Sequence, residues 1–298
     1  MSPALLPALS RVLASVDALR NLRALYALLA GFCMSGLLLA MAQSAQAHDQ
    51  GLMSALWLGL AMAVAFFGVN ASGLMLMDQA CGRPVRDPQD ALADALRSAH
   101  RVLLVLLVCA LLAGAGALLL TLLLRTLHWP LLQPLLALLL PLGVLLLGGT
   151  ALVLVLLVGP LTGPAVWAGQ RSRAVLALLR ARLRHGLPET LLLMAAVYLM
   201  TALVTAATSF VVVSGGRLLA GLAIVGAGLE LPANQLLAGL AGVGPRSLGL
   251  SGQALQGGTL GLAALTGGGV VFALALVLPT LVYLRGCCAV YLALQEPA

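Results

Sequence analysis

Between Arg125 and Arg171 the chain carries no charged side chain, and within that interval residues 135–158 are almost wholly leucine, valine, alanine and glycine. A run of this length reaches the roughly 20 residues that carry an α-helix across the hydrocarbon core of a bilayer, and far exceeds the roughly 9–11 residues of a barrel strand. In lipid a backbone must satisfy its own N–H and C=O groups, which the helix does within one segment. The composition agrees: 62 % of residues are hydrophobic and 8 % charged, against about a quarter charged in soluble domains. The predicted fold class is therefore all-α, a polytopic transmembrane helical bundle.

Six spans can be marked, near residues 24–43, 52–77, 102–124, 135–158, 187–213 and 262–284. The net charge of +7 would suggest nucleic acid in a soluble protein. Here the arginines sit at the ends of apolar runs, so the expected partners are the bilayer and its anionic inner-leaflet lipids, not nucleic acid. Arg11, Arg20 and Arg23, then Arg83, Arg86, Arg97 and Arg101, then the five arginines of residues 171–184, and finally Arg285 all fall on one side of this threading. Only Arg125, Arg217 and Arg246 fall on the other, which is the asymmetry of the positive-inside rule and places both termini in the cytoplasm. All sixteen basic residues are arginine and none is lysine, which we read as the coding bias of a GC-rich bacterium and hence a multi-pass protein of the bacterial inner membrane. Ala45-Gln46-Ala47 matches a signal-peptidase site, but the preceding apolar run is longer than the usual 7–15 residues, so a retained span is expected. The five cysteines show no metal spacing, and no structural disulfide is expected.

Residues 169–190 hold the densest basic cluster. Read as a helix, Val175, Leu176, Leu179 and Leu183 share a face bordered by Arg173, Arg180 and Arg184 on one side and Arg171 and Arg182 on the other. The pattern predicts an interfacial helix, with leucines at the acyl boundary and guanidinium groups reaching lipid head groups; a solvated cytosolic connector is the alternative. Residues 2–23 look similar, with Leu9, Val12, Leu13, Val16 and Leu19 at helical spacing. Asp17-Ala18-Leu19-Arg20 recurs as Asp94-Ala95-Leu96-Arg97, and Leu183-Arg184-His185 holds a comparable place before the fifth span. The chain then divides into an amphipathic helix (2–23), a first hairpin (24–78), a second with its lead helix (87–168), and a third (169–298) with its lead helix and a long outer loop over 216–260.

An amphipathic lead helix, a hairpin, and a basic mid-chain helix after a Gly-Pro-rich span end resemble a loosely defined group of six-span bacterial inner-membrane proteins. Related helices form the membrane domain of some glycerophosphodiester phosphodiesterases. The resemblance covers most of the chain and is best over residues 163–187 and 278–291. It implies no catalytic residues, because nothing in this sequence corresponds to the soluble phosphodiesterase domain.

Few groups qualify for chemistry. Gly249-Leu250-Ser251-Gly252 matches the signature of rhomboid serine proteases, yet none of the four histidines lies in the last span to serve as base. His48, Asp49 and His128 have zinc-ligand chemistry but lie on separate turns, and His100 and His185 read as head-group neighbours. No catalytic residue, metal or cofactor is expected. Candidate substrate or lipid contacts are Arg173, Arg180 and Arg184, the buried amide of Asn70, and Glu230 with Asn234. The last two form the tip either of a re-entrant hairpin or of two helices lying on the outer leaflet, the second being favoured because a charge at the helix centre costs roughly 2.5–3.5 kcal/mol on insertion scales. Gly215-Gly216 should break the fifth span, and Gly159-Pro160 and Gly163-Pro164 should kink the fourth. Thr201, Thr205, Thr208 and Ser209 should back-bond to carbonyls, and Gly31 with Ser35, Gly36 with Ala40, and Ala113 with Ala117 mark helix contacts. Three functions fit: a non-enzymatic protein handling or exporting a hydrophobic or lipid-like substrate, an accessory or scaffold subunit of a membrane complex or homo-oligomer, and, least favoured, an intramembrane enzyme.

Overall fold

The computed structural model describes residues 5–126, 135–227 and 259–295. Among these, every regular element is a helix: α1 (Leu5–Leu13), a 3-10 helix (Ala14–Arg20), α2 (Leu22–Ala47), α3 (Gly51–Ala80), α4 (Pro88–Thr126), α5 (Leu136–Val153), a π segment (Leu154–Val158), α6 (Gly159–Trp167), α7 (Ser172–His185), α8 (Leu187–Ala227) and α9 (Thr259–Gln295). Six stretches are long and apolar enough to cross a membrane: Leu22–Gln46, Gly51–Ala80, Pro88–Arg125, Leu139–Trp167, Leu187–Leu219 and Ala273–Gln295. The chain is an all-α, multi-pass membrane protein.

Several boundaries follow from local chemistry. Asn21 stops the 3-10 helix and caps α2, its Oδ1 accepting from the Ala24 amide at 3.1 Å. The buried residues Val12, Ser15, Ala18, Asn21 and Ala24 recur every third position, which is the 3-10 period. This corrects the expected lead-helix face: Leu13 and Val16 point outward, and the small side chains pack inward. α4 begins at Pro88, as Asp87-Pro88 predicts, but the expected separate lead helix does not exist. Residues 88–126 form one helix, about 58 Å long at 1.5 Å per residue. Gly215-Gly216 does not break the fifth span either: α8 runs through both glycines to Ala227, because helical hydrogen bonding in an apolar medium outweighs the glycine penalty.

The fourth span does deform where its prolines predict. α5 loosens into the π segment immediately before Pro160, and the hydroxyl of Tyr198 on α8 donates to the Val155 carbonyl of that segment at 3.0 Å. α2 and α3 form a close hairpin. A Cβ on Gly31 or Gly68 would lie 3.1 Å from the other's Cα, and Ser35 Oγ donates to the Ala61 carbonyl at 2.9 Å. Gly36 meets nothing within 4 Å and Ala40 is exposed, so that pair makes no contact within the described chain. Thr201, Thr205 and Thr208 back-bond to carbonyls four residues earlier at 2.7–2.9 Å.

The largest correction concerns the chain's last segment. The expected span ends at Leu284 with Arg285 and a short tail beyond it, whereas α9 continues to Gln295 and its final turns are the centre of the bundle. Leu281, Cys288, Val290 and Tyr291 are wholly enclosed. Over half of this span's most apolar window is buried, against 11–22 % for the other five spans, so α9 is the post around which they pack. Gly286 makes room for α8: a Cβ there would meet Val197 Cγ1 at 2.8 Å.

Candidate functional site

The segments bearing most arginines gather at one end of the bundle. There the α3–α4 turn is held by a charged clasp. Arg86 donates from Nε and Nη2 to the two oxygens of Asp78 at 2.6 and 2.8 Å, and from Nη1 to Asp94 at 2.9 Å. Asp78 is buried, and the hydrogen bonds to it, followed by the charges of Asp78 and Asp94, hold Arg86 above its ordinary pKa against partial desolvation. Arg23 ties α2 to the same turn through Asp87 at 3.0 Å and the Val85 carbonyl at 2.8 Å. The repeated tetrapeptide has a common local geometry, with Asp17–Arg20 at 3.7 Å, Asp94–Arg97 at 3.6 Å, and Ala18 and Ala95 both fully buried.

Beside this clasp lies a cavity of about 640 Å³ between α1, the end of α3 and the last turns of α9. Its polar lining is Arg11, Cys81, Arg285 and Gln295, and its apolar lining is Ala14, Ala80, Ala289 and Leu292. Arg285, Ala289, Leu292 and Gln295 recur at four, three and three residues, so one face of α9 makes the floor. Arg11, Ala14 and Cys81 are exposed at the rim. Arg285 is half-buried, and its Nε is sealed from solvent without a hydrogen-bond partner. The amide of Gln295 donates to the Tyr291 hydroxyl at 2.6 Å, fixing that wall. From outside, Arg182 of α7 donates to the Leu294 carbonyl and braces the end of α9.

Of the candidates marked in the sequence, Asn70 is buried with both ends of its amide engaged: Nδ2 donates to the Phe66 carbonyl at 2.8 Å, and Oδ1 accepts from Trp167 Nε1 at 3.0 Å. Trp167 stands near the end of the fourth span, where a tryptophan ordinarily anchors at the membrane interface, but it is a buried wedge whose ring fills the space left by Gly73 and Gly163. Arg173, Arg180 and Arg184 are exposed along α7. The face they border does not lie at an acyl boundary, because Val175 and Leu179 are buried in the common core with Leu176 and Leu178 against it, and Leu183 is exposed. His48 Nδ1 lies 2.9 Å from the Ser44 carbonyl, in the α2–α3 turn. Glu230, Asn234, His128 and Ser251 lie outside the described residues. Among the described residues no group of three His, Cys, Asp or Glu side chains converges, and all five cysteines are free thiols.

Arg11, Arg285 and Gln295 were not legible in the sequence as residues of one site, and the two arginines entered only through the charge asymmetry. The available signal was that the apolar pattern resumes after Arg285, through Cys287, Cys288, Val290 and Tyr291, so that the arginine interrupts a helix and does not end it. The fold and the site together define a helical, multi-pass membrane protein with six candidate spans among its described residues and a basic, amphiphilic cavity at one end. Comparison with protein-family models, curated proteins and solved structures found no match.

Proposed function

We propose that this chain is a non-enzymatic protein of the bacterial cytoplasmic membrane that handles a lipid-like substrate through the cavity at its arginine-rich end. The observation that carries this reading is the cavity's two-sided chemistry: guanidinium and amide groups on one part of the wall, and Ala14, Ala80, Ala289 and Leu292 on the other. Such a site suits a molecule with a polar head and an apolar body. Its end of the bundle is assigned to the cytoplasm on the arginine asymmetry, with both termini on that side. The likeness to the membrane domain of some glycerophosphodiester phosphodiesterases belongs to the same proposal.

The test is lipid retention by the purified full-length chain, read by native mass spectrometry after mild detergent extraction. A stoichiometric lipid is expected, and it should be lost in Ala14→Trp, which fills the exposed rim with an indole. Lipid retained equally by that variant, or none retained at all, overturns the reading. The accessory-subunit alternative has its own support in the uncovered Gly36 and Ala40 face of α2. A stoichiometric protein partner in the same preparation would favour it.

A further inference from the structure

We infer that Arg285 anchors a phosphate-anion site in this cavity, and that the ligand is a phosphate ester carrying net negative charge, such as the head group of an anionic phospholipid. This rests on the lipid-handling reading of the cavity and names the chemical class of its ligand.

Two arginines at this end of the bundle are satisfied very differently. Arg86 is partly buried, and it makes three charge-assisted hydrogen bonds to two aspartates. Arg285 has no carboxylate within ion-pair distance among the described residues, and its Nε is enclosed without an acceptor. Among the described residues Asp17 is the one carboxylate within electrostatic reach, and it is exposed and paired with Arg20. Arg285 is half-buried and lines the cavity, and a partly desolvated guanidinium without a carboxylate partner favours an anion beside it. Among the described residues the cavity lining contains no acidic side chain. A bound anion would supply that counter-charge.

Shape and location select phosphate. A guanidinium presents a planar fork of donors that matches a phosphate through two parallel N–H···O bonds. Gln295 stands on the same face of α9, about three turns along, as a second polar group for ester or glycerol oxygens. Between them Ala289 and Leu292 form an apolar strip suited to the carbon skeleton of the same molecule. Arg285 shares the cavity with Ala80 and Cys81 at the end of α3, which places the site at the end of that span, where lipid head groups meet the bundle. The exposed arginines of α7 offer no comparable enclosure.

The test uses the full-length chain in detergent with added phosphatidylglycerol, phosphatidylcholine or soluble glycerol phosphate, read by native mass spectrometry and by thermal shift. Phosphatidylglycerol should bind and raise the melting temperature, whereas phosphatidylcholine should do so weakly. Arg285→Gln should weaken phosphatidylglycerol binding by roughly tenfold to a hundredfold. Arg285→Lys should retain part of the binding, and Arg125→Gln, in the last turn of α4, should retain all of it. Stabilisation by glycerol phosphate comparable to that by phosphatidylglycerol keeps the anion site but assigns it a soluble ligand. Phosphatidylglycerol and phosphatidylcholine binding alike to the wild type, or binding indifferent to Arg285→Gln, overturns the phosphate site while leaving the lipid-handling reading intact. The wild-type head-group comparison decides even if the Gln variant fails to fold. Failure to retain any lipid removes both.

Discussion

At the scale of single residues, specificity in this bundle comes from a few polar groups locked into close-packed glycine gaps. Trp167 shows the principle. Its indole N–H satisfies Asn70, and its ring occupies space that exists only because residues 73 and 163 have no Cβ; one built on Gly73 would overlap the ring. Gly73→Ala should therefore cost about 1–3 kcal/mol through overpacking, and Trp167→Phe about 1–3 kcal/mol through the stranded Asn70 oxygen. Both are read as lowered thermal stability in detergent; an unchanged melting temperature for Gly73→Ala would remove the wedge. Arg86 gives a second case. Because its folded pKa is raised, its contribution is complete below the unfolded value, itself far above ordinary buffers, and fades only as pH rises through the still higher folded value. Stability arising from this guanidinium's own titration should thus be flat across ordinary buffers. Substitution is the sharper probe: Arg86→Gln should cost about 1–3 kcal/mol by stranding buried Asp78, and Arg86→Lys less, since one ammonium cannot hold both carboxylate oxygens. Asn70 was legible in the sequence as an amide inside an apolar run. Trp167 was not, since tryptophan near a span end suggests an interfacial anchor and no single glycine among thirty-three marks itself as a slot.

At the scale of elements, the sequence read helix identity well and helix continuity poorly. Apolar length fixed where spans exist, and Pro160 correctly marked the deformation beside the π segment, because a ring that clashes with the preceding turn acts locally. Continuity depends on surroundings. Residues 88–101 are amphipathic enough to read as a separate lead helix, yet nothing between them and Val102 interrupts hydrogen bonding, so α4 is a single rod. Gly215-Gly216 resembles a turn in water, whereas in a lipid-facing helix the exposed backbone has no other partner. This difference can be measured. Gly215 sits in the helix interior, and a Cβ added there would meet nothing within 4 Å, so Gly215→Ala should stabilise by about 0.5–1 kcal/mol. A loss of stability would mean that the chain turns there. The basic helix α7 was found from its arginine spacing, but its environment was misassigned: Val175 and Leu179 face protein, not acyl chains. Periodicity identifies an apolar face without saying what covers it.

At the scale of the whole molecule, cohesion is concentrated at the arginine-rich end. Leu161, Leu193, Leu281, Cys288 and Tyr291 are enclosed there together with the inward faces of α1 and α7. The far halves of α4, α5 and α8 instead present exposed rows that include Leu119, Leu145 and Phe210. In water this would be an unfinished core. In lipid it is a boundary surface, because apolar side chains gain nothing from leaving acyl chains, and helices cohere only where they interlock or hydrogen-bond. Large-to-small substitutions should therefore divide by position and not by residue type. Leu161 is 0 % exposed on α6, the helix that packs against the π segment and α9, so Leu161→Ala should leave a cavity and cost about 2–4 kcal/mol. Leu145 is 73 % exposed, and Leu145→Ala should change stability by less than about 0.5 kcal/mol. Thermal unfolding of both variants in the same detergent makes the comparison direct. Equal losses would show that the far halves are packed against something besides lipid, and a second copy of the chain across α4 and α5 would then be the first partner to seek by cross-linking.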